Sequence, residues 1–366
     1  MSDILSITGE PIFNDRIVKI ETHTYNPYAN TTFENSDEIR IPIQQQDLYI
    51  LHCESFLYIE GRLESKKPSD AEGESSTSRE SSSAESESST RLVNNCAAFM
   101  FEEICYELDG VEIDRSRNVG ITSTIKNYAS LTVERSSILQ NAGWDFAAKS
   151  HAIDDFNFCV PLSMLLVLND INKLTLLRTL ESGRYLSVAF RSWDLYEFPL
   201  LQSTTKHSWA VKAATQLEKP RYVIFALQSG RKNVLLQDAS MFDDCKLTNV
   251  KLYLNSDFYP YDDMNLNFEK NKIAVLYDMY SKFRKTYYGC DKDKALFNLA
   301  KFKTFGPIVV IDCSRQNESI KSATVDVRIE FDCKENVPSN TTAYCLIIHD
   351  RVVEYNPLTN VVRRIV

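Results

Sequence analysis

The sequence predicts an all-β protein with a few short helices, arranged as two antiparallel sandwiches side by side. Three observations carry that prediction. Strict alternation recurs in both halves: Ile104, Tyr106 and Leu108 alternate with Cys105 and Glu107, and Val325, Val327, Ile329 and Phe331 with Asp326, Arg328 and Glu330. That is the period of a strand with one wet face. The chain holds 18 Tyr and 19 Phe against 10 Gly, a bias toward sheets bearing large side chains. Its 366 residues exceed one ordinary core, so two domains are expected.

Taken in order, residues 1–36 are polar with scattered aromatics plus Pro11 and Pro27, and read as an N-terminal arm that packs on something else. Strand patterning begins at Ile39, Ile41 and Ile43, where Pro42 confines the run to an edge or bulge. Tyr49 to Leu51 and Phe56 to Leu63 follow as strands. Residues 66–90 are dominated by Ser and Glu and hold no aliphatic larger than alanine. Such a segment cannot offset its ordering entropy by burial, so it is expected to be a disordered, acidic, phosphorylatable loop between two strands. Asp109-Gly110 marks a two-residue hairpin returning through Val111 and Ile113. Ile121, Ile125 and Tyr128 suggest a helix that stops before Asn141. A short helix starts at Pro161, and Leu186, Val188 and Phe190 share one face of a further strand.

The stretch from Trp193 to Lys219 reads as a connection to the second half. There, Arg221 to Gly230 is strand-like, and Val250, Leu252 and Leu254 alternate with Asn249, Lys251 and Tyr253. Asn255-Ser256-Asp257 and Tyr259-Pro260-Tyr261-Asp262-Asp263 supply turn chemistry. Ile273, Leu276, Tyr280, Phe283 and Tyr287 form one stripe of a helix, facing either the core or a subunit interface. Lys294 to Phe305 is expected to be helical, Ile308 to Ile311 a short buried strand, and the end a hairpin turning about His349-Asp350-Arg351. Trp144, Trp193 and Trp209 all fall near the expected turns or connections, where an indole anchors a loop.

A net charge of -9 and the lack of long basic runs argue against strong nucleic-acid binding. No apolar run approaches the roughly 20 residues of a membrane span, and the start MSDILSITGEPIF has no secretory-signal pattern. The nine cysteines are scattered without CxxC, so reduced thiols in an intracellular protein are expected, and the sequons at Asn30, Asn317 and Asn340 are chance matches. Phosphate-cradling glycine loops and a GxSxG elbow are absent. The histidines, His23, His52, His151, His207 and His349, are widely spaced. The pairs Asp243-Asp244, Asp262-Asp263 and Asp291/Asp293 read as turn caps rather than calcium ligands, and His52-Cys53 as an incidental neighbour pair. No catalytic, cofactor-binding or metal residue is therefore assigned, no cofactor is expected, and the chain reads as a non-enzyme.

Three blocks carry a family resemblance: LVNNCAAFMFEEICYELDGVEI, FDDCKLTNVKLYLNSDFYPYDDMNLNFEKNK with its following helix, and GPIVVIDCSRQNESIKSATVDVRIEF. In order and spacing they resemble the double jelly-roll major capsid proteins of Polinton (Maverick) elements, adintoviruses and related eukaryotic double-stranded DNA viruses. The resemblance implies two consecutive eight-stranded antiparallel jelly rolls, the first over 37–195 and the second over 220–355, with a connection at 196–219 and a tail at 356–366. It further implies a homotrimer forming a pseudo-hexagonal, hexon-like capsomer that self-assembles into an icosahedral shell. A minor or penton capsid protein would be a partner, and the virion, assembled in the host nucleus or cytoplasm, would be the location. The arm and the tail would be connectors between neighbours. The alternative is a host-domesticated jelly-roll binding module that recognises a carbohydrate or receptor.

Overall fold

A computed structural model describes residues 19–28, 32–33, 36–44, 50, 54–62, 92–146, 155–166, 186–213, 220–232, 234, 237–289, 294–315, 325–356, 359 and 361–365. The chain divides into two compact units, Met1–Leu51 and His52–Val366. In the first unit, residues 37–44 form no strand despite the isoleucine alternation, which corrects the expectation there. Pro42 has no N–H to give to a ladder, and the local tie is the N–H of Tyr28 donating to the carbonyl of Arg40 at 3.1 Å. The Ser/Glu-rich loop 66–90, His52-Cys53, His151 and Asp291/Asp293 lie outside the described residues.

The second unit starts with β1 (Phe56–Arg62), which pairs antiparallel with β4 (Asp155–Pro161) as a two-stranded ribbon. Gly61 faces Phe156 across that ribbon, and a Cβ there would meet the Phe156 ring at 2.6 Å. Between the two strands lie α1 (Cys96–Phe99), the hairpin β2 (Glu103–Leu108) and β3 (Val111–Arg117), α2 (Val119–Ser130) and α3 (Val133–Ile138). The hairpin turns where expected: Asp109 and Gly110 take φ of 51° and 74°, the left-handed pair that matches strand twist. The expected helix from Ile121 to Leu139 is two helices, because Leu131 is extended and Thr132 caps α3 by accepting from the Arg135 N–H. After β4 comes the single turn α4 (Leu162–Leu165). Pro161 precedes that turn instead of opening it.

The later strands form two sheets. Strand β5 (Leu186–Phe198) runs beside β12 (Thr341–Asn356) for most of its length. On its other edge β12 pairs first with β7 (Pro220–Ser229) and then with β13 (Val361–Ile365), and β10 (Val309–Asp312) completes this five-stranded sheet. The second sheet has the order β6 (Lys206–Ala213), β11 (Asp326–Cys333), β8 (Leu247–Leu254), β9 (Asp257–Tyr259). The stretch read as a connection therefore contains the end of β5 and all of β6. The tail after Tyr355 contains β13, tied back onto β12. His349-Asp350-Arg351 is no turn but the point where β12 exchanges β7 for β13, next to a register shift at Ile348/His349. Alternation alone cannot separate a turn from a change of partner.

Between the sheets, Val327, Ile329 and Phe331 of β11 and Val250, Leu252 and Leu254 of β8 point inward, and Phe225 meets Phe331 at 5.0 Å. Tyr222 points the other way, to Phe283 and Tyr287 of α5 (Ala274–Tyr288), at 5.1 and 5.8 Å. With both faces covered, β7 reads as a continuous apolar run rather than an alternation. The aromatic stripe of α5 is thus core. Trp193 and Trp209 stand on strands, not connections; the Trp193 N–H reaches the Tyr287 hydroxyl at 3.3 Å, and Trp209 stacks on Phe198 at 5.6 Å. Among the described residues no helix is long and apolar enough to cross a membrane, and all cysteines there are free thiols.

Candidate assembly surfaces

Helix α2 joins the early and late strands of this unit, and every one of its residues is buried. Such a helix should be apolar all round, yet it carries Thr122, Ser123, Thr124, Lys126 and Asn127. Each of these side chains finds a partner. Thr124 donates to the Gly120 carbonyl, Ser123 to that of Met164, and the Lys126 ammonium to the carbonyls of Ser163 and Leu166, both at 2.6 Å. Burial holds the Lys126 pKa down to about 8, with Asp114 acting in the opposite sense. Tyr128 donates to the Ser240 carbonyl at 2.7 Å, and its own carbonyl accepts from Tyr280 at 3.0 Å, tying α2 to the late strands and to α5.

A second buried polar group lies where β3 meets β5 and β12. Arg351 lies 3.8 Å from Asp114 and 3.4 Å from Asp194, and its Nε donates to His349 Nε2 at 3.2 Å. Ser192 donates to Asp114 at 3.1 Å. Beyond it Phe190, Val353 and Val362 form a small separate core, closed by Val111 and Ile113 of the β2–β3 hairpin. One buried guanidinium thus holds carboxylates from two strands. Its opposite charges compensate one another, as a buried ion group must to be tolerated.

The surface carries several apolar groups. Phe56 and Tyr58 stand outward on β1, no residue of α3 is buried, and Ile138 is 76% exposed. In the N-terminal unit Ile20, Tyr28, Phe33, Ile39 and Ile43 are exposed. The outer face of the four-stranded sheet is a charge ladder, with Glu330 opposite Lys251 and Asp332 opposite Lys206. At its end the β8–β9 hairpin leads into a loop that Lys251 fastens, donating to the carbonyls of Pro260 and Tyr261 and pairing with Asp263 at 3.0 Å. That ammonium, then the Asn249 amide, hold the Asp263 carboxyl below its usual range.

The residues weighed in the sequence for chemistry fall into separate places. Asp243 pairs with Arg231 at 2.7 Å, and Asp244 accepts from the Lys246 N–H as a turn cap. His207 stacks on Phe331 at 4.6 Å, and His349 belongs to the buried group around Arg351. Among the described residues no three His, Cys, Asp or Glu side chains converge as a metal site. A half-open groove of about 210 Å³, lined by Lys246, Phe268, Glu269, Lys303 and Lys334 among others, is spanned by its own ion pairs from Glu269 to Lys334 and Lys246.

No curated protein matches the sequence. Among solved structures the chain is similar to the PBCV-1 protein VP54 as fitted into a cryo-EM reconstruction of the virophage Sputnik, with 10% identity over 75% of this chain and 85% of that chain and a TM-score of 0.49. It is similar to the quasi-atomic model of the PBCV-1 virus capsid, with 8% identity over 72% and 83% of the two chains and a TM-score of 0.47. For the cryo-EM structure of the Sputnik virophage the identity is 11%, the coverage 50% and 39%, and the TM-score 0.29. The family described as double jelly roll-like domain matches residues 90–168 and 166–353. With most of its length matched, this chain belongs to the double jelly roll-like domain family.

Proposed function

We propose that the chain is a major capsid protein of the hexon-like kind, whose mechanism is self-assembly rather than catalysis. The observation that carries this reading is the family match across 90–353: two jelly rolls in one chain let three chains place six rolls around a threefold axis. Such a trimer fills a sixfold lattice position, and capsomers of this shape tile an icosahedral virion. The trimer contact belongs to the obligate class, large and apolar, and contacts between capsomers are weaker. Phe56 and Tyr58 on β1 and the exposed apolar residues of the N-terminal unit support such contacts.

In this reading residues 1–36 tie neighbouring capsomers, a minor or penton protein fills the fivefold positions, and the shell assembles in the host nucleus or cytoplasm. The three sequence blocks support placing the chain with the Polinton and adintovirus lineage. Electron micrographs of the purified full chain test the function. Particles with a pseudo-hexagonal outline, or closed shells, are expected, and shells should fail to form when residues 1–36 are deleted. A preparation holding only single compact particles at every concentration and ionic strength contradicts the proposal.

A further inference from the structure

Strand β9 and the loop after it expose two aromatic rings that the core does not use. Phe258 and Tyr261 lie with ring centres 5.7 Å apart and planes 13° from parallel, and they are 40% and 82% exposed. Tyr253 follows at 6.0 Å from Phe258, with the Arg328 guanidinium 4.4 Å over its own ring. Three rings thus run from β8 across the edge strand β9 to the loop beyond it, the outermost almost wholly in solvent. Between them Tyr259 turns the other way and packs against the core, while Tyr261, beyond the end of β9, is brought back beside Phe258 by the loop.

The row is also held in place. Lys251 grips the loop at two carbonyls and at Asp263, and lies 5.2 Å from the Phe258 ring centre. Aromatic rings that stay exposed on a fastened loop are preorganised contact area, with little entropy left to lose on binding. Exposed apolar surface rimmed by polar groups marks an interaction site.

The rim indicates what binds. Two cations, Lys251 and Arg328, stand with Asp263 and Glu330, and the neighbouring Asp257 and Asp262 leave the local charge negative. An anionic partner such as a phosphate chain or an acidic membrane gains nothing there. A pyranose ring fits: one face presents C–H bonds to the negative face of an aromatic ring, and its hydroxyls, each donor and acceptor, suit a rim holding both kinds of group.

We propose that Tyr253, Phe258 and Tyr261 form a binding platform for a neutral carbohydrate, with Tyr261 as the outer stacking ring and Asp263 and Arg328 as hydrogen-bonding partners of the sugar hydroxyls. On a shell protein such a platform is a means of attachment to glycans. It works on a trimer and a monomer alike, so its failure leaves the assembly proposal standing.

The test is a glycan array followed by saturation-transfer NMR with neutral methyl pyranosides and neutral oligosaccharides, on the full chain. The expected result is saturable binding of at least one neutral sugar, weakened tenfold or more by Tyr261→Ala, kept by Tyr261→Phe, and unchanged by Ile138→Ala, at an exposed apolar residue of α3. Tyr261 is so exposed that its removal leaves the fold intact, and circular dichroism verifies this. The proposal is overturned if no neutral sugar binds, if Tyr261→Ala binds as the wild type does, or if that variant instead loses self-association, which would make the platform a contact between copies.

Discussion

Residues 54–166 and 186–365 are built on different terms. In the later stretch a five-stranded and a four-stranded sheet face each other, and α5 covers the outer side of the first. Among the described residues the earlier stretch has two separate two-stranded ribbons, β1–β4 and β2–β3, around a wholly buried helix. Two-stranded ribbons are marginal alone. What holds the earlier stretch is its attachment to the later one: Tyr128 to Ser240, Asn118 to Glu197, and Asp114 to Arg351. One part of the chain thus supplies the sheets, and the other is held against them through a shared hydrophobic core and these polar ties.

The largest expected effect tests the sheets themselves. Phe331, buried between Phe225 and His207, should cost about 3–5 kcal/mol when changed to Ala. Ile59 on the half-buried face of β1 should cost less on the same change, about 1.5–2.5 kcal/mol, since part of its surface stays in water. Urea denaturation of both variants measures the difference, and equal losses would erase the contrast between the two stretches.

Next comes the attachment. Arg351→Ala removes the guanidinium that lies 3.8 Å from Asp114 and 3.4 Å from Asp194, a loss of about 3–5 kcal/mol. Exchanging both partners for apolar residues, Arg351→Met with Asp114→Leu, should recover most of it, because less buried charge is then left to compensate. Denaturation of the single and double variants checks this. A double variant no better than the single would mean that the pair contributes more than mutual satisfaction.

The smallest effect is a slope with pH. In the folded chain Lys126 releases its proton near pH 8, against 10.5 ordinarily. Between those values the unfolded state binds more protons, so the Lys126 contribution to stability rises with pH there. Buried phenols and thiols such as Tyr280 and Cys345 are pushed up and act in the opposite sense above their ordinary values of 10.0 and 9.0. The clean window is therefore pH 8 to 9. Over it the wild type should gain on Lys126→Met by at most about 1.4 kcal/mol per pH unit, measured by denaturation at each pH. A constant difference from pH 7 to 9 would mean that the two carbonyls keep the ammonium charged.

Strands with one wet face were legible because their alternation is the direct imprint of burial: β3, β8 and β11 stand where Val111, Val250 and Val325 announce them. β4 was missed altogether, although Phe156, Phe158 and Val160 alternate along it. β6 was missed because Lys206 to Ala213 looks polar, and only Trp209 and Val211 mark its inner face. The partner exchange at His349–Arg351 could not be read, since the polar residues of a turn and those of a buried ion network look alike in one dimension. The same holds for α2, whose hydroxyls and Lys126 suggest an exposed face until the carbonyls that satisfy them are seen. Of the aromatic platform, the sequence shows the turn chemistry around Pro260. That Phe258 and Tyr261 lie nearly parallel is a product of the loop beyond β9, which alternation along the strand does not foretell.

The central claim, that this double jelly roll exists to assemble, is tested most directly by the mass of the purified full chain, measured by light scattering as it leaves a sizing column. A single peak with three times the mass of one chain, stable on dilution, is the predicted result. A peak with the mass of one chain at every concentration and salt strength would contradict the claim and leave a double jelly roll that works alone.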